Sequence, residues 1–400
     1  MSVKRIAIVL GTGIGPVGGV RRTALFLYHV LRTSGLYEPD LVSLANSARD
    51  TSSVRLLSPP SWLRGPRVTQ GRWEGVPYRH VGAWLAEFEF QRCRPRQALT
   101  RQLAGYDLVQ VVSGAPGVAA VVTGIGVPKC LFVATTVRQE RVSALDRLRG
   151  PRRLWLSWMT CLCSRIESQA LSRMDHVFAE SHYTRKLLSA SVPSKRLSVA
   201  PPGVDVDLFH PPAAPRRQGC ILSVGRFDDP RKNVRLLLNA YGKLRATLPG
   251  APRLLLVGQH GPCTGDWALA REWGVADHVD VRLAVTDREL AELYRSALLF
   301  VLPSNEEGLG IVLLEAMASG LPVVSTRCGG PETAVLDGET GYLTPVGDAD
   351  ATAQAMQCLL ADPALGQRMG QAGRVRVEGR FSRQAAGQVY LRKYRELLEA

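Results

Sequence analysis

The residue least at home in its surroundings is Glu315. It stands inside residues 310–319 (GIVLLEAMAS), an apolar stretch that ends at Gly320 and is followed by Pro322. Glycine and proline just beyond an apolar run mark the end of a helix. A carboxylate in a helix that is apolar nearly all round is buried, and burial is costly unless the charge is partnered. Hydroxyls of a sugar or a ribose suit it, because they donate hydrogen bonds to an ionised carboxylate. Glu307 lies eight residues earlier. Taken as the start of the same helix, at about 100° per residue, it stands about 80° round from Glu315, so both look toward one cleft. Gly308 and Gly310, flanking Leu309, let the backbone approach a ligand, and the helix start offers free N–H groups to an anion. The plain alternative is a structural glutamate pair bonded to backbone or arginine.

Two glycine-led loops point to phosphate. Residues 225–233 (GRFDDPRKN) bring Gly225, Arg226, Arg231 and Lys232 to the start of a helix. Cations there oppose the helix dipole, and a diphosphate between them removes the conflict; a solvated loop paired by Asp228 and Asp229 is the plainer reading. Residues 11–19 (GTGIGPVGG) follow an apolar run, and Gly13, Gly15 and Gly18 satisfy the dinucleotide-binding pattern. That pattern expects an acid at the end of the second strand, where this chain has residues 44–47 (LANS). A loop touching any phosphate or sugar fits equally well.

Asp205 with Asp207, and Asp348 with Asp350, each spell D-x-D. Such pairs can hold Mg²⁺ or Mn²⁺ beneath a diphosphate. The first pair, however, lies in a proline-rich seam and the second reads as a helix N-cap, so both are taken as structural. The seven histidines have no ligand spacing and the eight cysteines no C-x-x-C pair. No metal is expected, and the thiols are expected to be free in a reducing cytosol.

Four hundred residues call for two domains. In the first half, apolar runs at 6–10, 41–44, 54–57, 108–112, 130–134, 176–179 and 197–200 read as strands, and 20–31 and 115–125 as helices between them. The second half repeats the scheme, with strands at 221–224, 253–257, 279–283, 298–302 and 322–325 and helices at 234–244, 288–297 and 309–319. Continuous apolar strands alternating with helices predict parallel sheets covered on both faces. The boundaries that follow are an N-terminal domain over 1–200, a linker over 201–215 and a C-terminal domain over 216–381. The last helix, 382–399, packs back on the first domain. No apolar run approaches the roughly 18 residues of a spanning helix, and the run at 6–10 is short for a leader. Charge is one-sided: residues 1–200 hold 28 Lys/Arg against 12 Asp/Glu, and residues 201–400 hold 22 against 23. A basic first half suggests an anionic partner. Arg147, Arg149, Arg152 and Arg153 adjoin Trp155 and Trp158, a composition suited to an anionic membrane surface. No nucleic-acid-binding motif accompanies it.

Together these pieces resemble glycosyltransferase family 4, the group 1 glycosyltransferases of GT-B fold. The family hallmark is a glutamate, seven residues and a second glutamate, here Glu307 and Glu315. Residues 303–310 (PSNEEGLG), 315–322 (EAMASGLP), 329–332 (GGPE), 224–226 with Lys232, 337–341 (DGETG) and 202–209 (PGVDVDLF) are similar to it. The resemblance is strong over 200–380 and weaker over 1–200, where it rests on Gly18, Gly19, Glu180 and Ser181.

The resemblance implies two Rossmann-like parallel-sheet domains facing a cleft. It implies a retaining, metal-independent enzyme that needs no cofactor and takes a sugar from a nucleoside-diphosphate donor to a glycan, lipid-linked or small-molecule acceptor. Arg226 and Lys232 would neutralise the diphosphate. Glu315 would hold the ribose, and Glu307 with the backbone of Gly308, Leu309 and Gly310 the sugar. Gly18, Gly19 and Gly225 would approach the donor. Where many members place a histidine after the strand at 130–134, this chain has Thr135 and Thr136, and Thr136 is the candidate in its place. The expected location is the cytoplasm, at the inner face of the cell membrane. A sugar-nucleotide epimerase of the same fold and a Rossmann oxidoreductase using NAD(P) are the alternatives.

Overall fold

The computed structural model describes residues 3–11, 18–214 and 218–399. The chain divides into two units, residues 1–202 with 386–400 and residues 203–385.

The first unit is built on eight strands: β1 (Lys4–Leu10), β2 (Tyr37–Leu44), β3 (Val68–Trp73), β4 (Val76–Val81), β5 (Leu108–Ser113), β6 (Lys129–Val133), β7 (His176–Ala179) and β8 (Leu197–Val199). They lie in the order β3-β4-β2-β1-β5-β6-β7-β8. Neighbours are parallel except β3 and β4. Every residue of β5 and β7 is buried, as in a sheet covered on both faces. The β3–β4 hairpin turns at Glu74 and Gly75, both at positive φ (49° and 79°), the geometry that matches the twist of paired strands.

The expected strand at 54–57 does not form. Val54 is buried and its N–H donates to Ala83 O (2.9 Å), but Leu56 and Leu57 stand in solvent, and the hairpin takes the place of that strand in the sheet. The expected helix at 115–125 is a 3₁₀ helix, Pro116–Val122. The end of the helix Arg383–Glu399 belongs to this unit. Tyr390 donates to Ala200 O (2.5 Å) and Tyr394 to Gln110 Oε1 (2.7 Å), so both buried phenols find acceptors.

The second unit holds β9 (Ile221–Val224), β10 (Leu254–Gly258), β11 (Val279–Leu283), β12 (Leu299–Leu302), β13 (Val323–Thr326) and β14 (Gly341–Thr344). They form one parallel sheet in the order β11-β10-β9-β12-β13-β14. Residues 203–214, expected as linker, belong to this unit. Val204 bridges Ser382, and Phe209 is buried edge-on against Tyr294 at 5.7 Å. An apolar residue every few positions between prolines gave that segment something to bury; Pro215 lies outside the described residues.

Both sheets reverse direction once. The chain builds outward from β1 and then returns to its other side with β5; it builds outward from β9 and returns with β12. In open α/β sheets, ligands bind beyond the carboxyl ends of the two strands that flank such a reversal. The loop that begins at Gly225 lies at such an end, as do Gly11 and Gly114 in the first unit.

Candidate functional site

In the second unit the loop after β9 and the loop after β12 meet. Lys232 closes the short 3₁₀ turn Pro230–Lys232, and its Nζ donates to Glu307 Oε1 at 2.6 Å. Ser304 Oγ donates to the same oxygen at 2.7 Å. Asn305 N–H donates to Arg231 O (2.7 Å), and the Asn233 amide donates to Asn305 Oδ1 (2.8 Å). Two stretches argued separately from the sequence are therefore in contact. A 2.6 Å contact between a lysine and a carboxylate that is 9% exposed is a charge-assisted bond in a poorly hydrated place.

Glu307 is not on the helix of Glu315. That helix runs Ile311–Ala318. Glu307 precedes it in an extended bridge to Gly329, and Gly330 N–H donates to Glu307 O (3.1 Å). Gly310 interrupts the two at φ +84°, a left-handed conformation that ends any helical register. Two loop-to-loop bonds aim Glu307, so a helical wheel had no bearing on it. Glu315 is 1% exposed and accepts the Tyr294 hydroxyl at 3.1 Å. Leu309 is 1% exposed in the apolar core, so only its backbone is at hand for a ligand. Gly330 presses on Gly308: a Cβ there would stand 2.5 Å from the Gly308 carbonyl carbon.

Arg226 is exposed and pairs with Asp229 (3.0 Å), which also accepts from Arg231 (2.8 Å). Burial works against the charge of Asp229, but the Arg231 guanidinium overcomes it and holds the carboxyl below its ordinary range. Gly225 N–H continues the sheet by donating to Val257 O (2.9 Å). The Asp pairs have structural roles. Asp205 caps a turn and pairs with Arg383 (2.8 Å), Asp348 caps the helix Ala349–Ala361, and Asp350 pairs with Lys243 (2.7 Å).

In the first unit, Gly18 caps the helix Gly19–Thr33 in an extended conformation, and among the described residues a Cβ on it would meet nothing within 4 Å. Gly13 and Gly15 lie outside the described residues. Thr136 caps the helix Val137–Arg147, its Oγ1 accepting from Gln139 N–H at 3.4 Å. Ser181 caps the helix His182–Leu188. The eight cysteines are free.

A second group was not legible in the sequence. Beyond the ends of β1, β2 and β5 lies a cavity of about 390 Å³ bordered by Gly11, Asn46, Ser113, Gly114, Glu89, Arg92, Glu140, Arg141 and Glu167. Glu167, 6% exposed, accepts Val137 N–H at 3.0 Å. Burial pushes its carboxyl up to about 7, with the Val137 bond opposing. Arg141 pairs with Glu89 and donates to Thr160 Oγ1 (3.2 Å). Arg92 donates to the carbonyls of Ala86 (2.6 Å) and Asn46 (2.7 Å). A carboxyl that titrates near neutrality beside guanidinium groups suits a hydroxylated or anionic ligand and a proton in transit. The one hint in the sequence was a lone acid, Glu167, in the long helix Gly150–Ser172.

The fold is that of a two-unit α/β protein with polar side chains gathered beyond the reversal of each sheet. The comparisons with known proteins agree on what class that is. A model of "Glycosyltransferase Family 4" matches residues 17–208, and one of "Glycosyl transferases group 1" matches residues 218–362. A D-inositol 3-phosphate glycosyltransferase of Segniliparus rotundus is 30% identical over 96% of this chain and 86% of its own length. A GDP-mannose-dependent alpha-(1-6)-phosphatidylinositol monomannoside mannosyltransferase of Mycolicibacterium smegmatis is 38% identical over 50% of this chain and 56% of its own. Among solved structures, sucrose-phosphate synthase from Thermosynechococcus elongatus superposes with a TM-score of 0.75 at 24% identity, over 99% of both chains. Anabaena HepE in complex with UDP-glucose superposes with a TM-score of 0.72 at 15% identity, over 98% of this chain and 99% of its own. The chain belongs to glycosyltransferase family 4. It is a glycosyltransferase of GT-B fold.

Proposed function

We propose that this glycosyltransferase takes its sugar from a nucleoside-diphosphate donor, retains the anomeric configuration, uses no metal, and serves the synthesis of a cell-surface polysaccharide or glycoconjugate. The observation that carries the donor reading is the Lys232–Glu307 contact at 2.6 Å, beyond the ends of β9 and β12. A loop cation paired with a loop carboxylate is the arrangement that a ligand bearing both phosphate and hydroxyls completes. Phosphate takes up the ammonium, and the freed carboxylate accepts from hydroxyls.

In this reading Arg226 and Lys232 meet the charge that builds on the departing diphosphate. Glu307 and the backbone of Gly308, Leu309 and Gly310 hold the sugar, and Glu315 takes the ribose hydroxyls. Gly225, Gly18 and Gly19 are the close-approach positions, and Thr136 serves at the sugar. The GDP-mannose named for one relative and the UDP-glucose named for one solved structure support a nucleotide-sugar donor. The cavity around Glu167 is the acceptor site. The inositol phosphate and phosphatidylinositol glycoside named for two relatives support a phosphate-bearing acceptor there.

A screen of UDP-, GDP-, ADP- and dTDP-sugars for thermal stabilisation, followed by slow donor hydrolysis, tests the donor assignment. Stabilisation by one nucleotide family is expected; none by any of them, with tight NAD(P) binding instead, overturns it.

We further infer that the enzyme works in the cytoplasm against the anionic face of a membrane. Among the described residues no helix is long and apolar enough to cross one. The support is the start of the helix Gly150–Ser172. There Leu154 (73%), Trp155 (57%) and Trp158 (56%) stand exposed beside the exposed Arg152 and Arg153, the two indoles 5.4 Å apart. Tryptophan prefers the headgroup boundary and arginine anionic lipid. The Arg147 side chain lies outside the described residues. Salt-sensitive flotation with anionic vesicles, weakened by Arg152→Glu with Arg153→Glu, is expected; no flotation at low salt returns the basic half to an acidic soluble acceptor.

A further inference from the structure

The connection from β2 to β3 holds a feature that neither site uses. Residues 51–67 fold into a small basin of about 210 Å³. Arg55, Arg64 and Arg67 line it together with Ser58 and Ser61, and no carboxylate does. The basin is built rather than loose. Arg55 N–H donates to Ser61 Oγ (3.0 Å), Ser61 Oγ donates to Ser58 O (2.6 Å), and the Arg67 guanidinium donates to Thr51 O (3.0 Å). Two acids lie nearby with partners of their own: Asp50 meets His80 Nε2 (2.6 Å) and accepts from Ser53 Oγ (3.1 Å), and Glu87 accepts from Leu56 N–H (2.9 Å). Among the described residues no ion pair engages any of the three arginines. Three like charges around one small basin favour an anion among them.

The rim is the opposite in kind. Leu57 is 92% exposed and Leu63 94%, with Trp62 at 44%. Trp84 joins them: a Cβ on Gly65 would stand 3.9 Å from its ring. Apolar tips gathered on one loop mark a contact surface. Set around a cationic basin, they match an amphiphile that carries phosphate next to hydrocarbon. Further along the chain, in the helix Glu89–Arg92, Phe90 packs against the cluster of Val137, Met159 and Cys163.

We propose that residues 55–67 are a headgroup site for an anionic phospholipid of a bilayer, with the phosphate among Arg55, Arg64 and Arg67 and with Leu57, Trp62 and Leu63 entering the acyl boundary. The proposal rests on the membrane reading above but assigns the specific contact to a different segment. It places lipid recognition on a loop separate from both the donor loops and the cavity around Glu167.

The test is flotation of the full chain with phosphatidylcholine vesicles, with and without phosphatidylglycerol. Three variants are compared with the unmodified chain: Arg55→Ala with Arg64→Ala, Leu57→Ser with Leu63→Ser, and Arg152→Ala with Arg153→Ala. Arg55 is half-buried and the other altered side chains are exposed; unchanged stabilisation by the nucleoside diphosphate certifies the fold. Each basin arginine removed is expected to lower partition into phosphatidylglycerol vesicles about fivefold. The Leu57/Leu63 variant is expected to lose the quenching of tryptophan emission by acyl chains labelled with bromine. If the basin variants partition as the unmodified chain does while the Arg152/Arg153 variant does not, the headgroup site is wrong and the membrane reading stands. If the unmodified chain does not float at all, both fall. Inorganic phosphate binding that depends on Arg55 and Arg64, without vesicle partition, means a free-anion site and also overturns the proposal.

Discussion

The two sheets reverse in the same way, at β1/β5 and at β9/β12, yet the groups gathered beyond the two reversals differ in kind. In the second unit they form a tight pair from two loops, Lys232 on Glu307, with Ser304 and Asn305 fixing the geometry. In the first unit they form a loose set drawn from distant segments, with one carboxyl, Glu167, buried enough to titrate near neutrality. A fixed ion pair is suited to a ligand that stays anionic throughout, such as a diphosphate. A carboxyl poised near 7 is suited to a group that gains or loses a proton during reaction. Topology supplied the same opening twice, and the side chains made the two openings chemically unlike.

The sharpest way to break this contrast is to remove the fixed cations. Arg226→Ala with Lys232→Ala is expected to lower transfer by about 10³-fold or more, as loss of fixed charge at a leaving group does, while activity of the unmodified enzyme survives EDTA. Rescue of a chelated, inactive enzyme by Mn²⁺ would instead put a metal in their place. Next comes the carboxylate. Glu307→Gln is expected to lower turnover about 10²-fold with nucleoside diphosphate binding kept. Glu307→Ala should add a loss of about 1–3 kcal/mol in denaturant unfolding, because Ser304 and Lys232 are left without an acceptor. A Glu307→Ala enzyme of normal turnover would remove Glu307 from the site.

Glu315→Ala is expected to weaken nucleoside diphosphate binding about tenfold, read by calorimetry, which is close to the value of one hydrogen bond to a charged group. Tyr294→Phe, which removes a hydroxyl that donates to Glu315 and to the Val312 carbonyl, should change that binding far less.

A stability measurement, not a rate, tests the other opening. Burial raises Glu167 from 4.5 to about 7 in the folded chain. A raised carboxyl gives its full stability below about 4.5. That stability is lost as pH climbs through about 7, by about 1.4 kcal/mol for every pH step of one between the two values. Thermal unfolding between about pH 5 and pH 8 should therefore show a decline that Glu167→Gln flattens. A decline that persists in Glu167→Gln would assign the titration to another group.

The plan of the fold was legible because continuous apolar runs between helices have few solutions other than parallel sheets. The runs at 6–10, 108–112 and 221–224 became the central strands β1, β5 and β9. The run at 54–57 misled because apolar composition alone does not say whether a segment is buried. Leu57 is on a loop in solvent, and the turn residues Glu74 and Gly75 were the better signal of where strands pair. The linker misled for the reverse reason: prolines suggested an unpacked seam, whereas Phe209 had a core to enter.

The site divides in the same manner. The types and spacing of Glu307, Glu315, Arg226 and Lys232 marked them out, since charge in apolar or dipole-opposed surroundings is costly wherever the chain goes. That Lys232 holds Glu307, and that Gly310 takes Glu307 off the helix of Glu315, came only from how two loops cross at a sheet reversal. Glu167 is the limiting case. In sequence it is one acid in a long helix; its proton affinity comes from the segments packed around it. Sequence by itself determined what is costly to bury, because desolvation belongs to the residue. Tertiary structure decided which costs are met and by whom, because a partner 75 residues away is a neighbour only after folding.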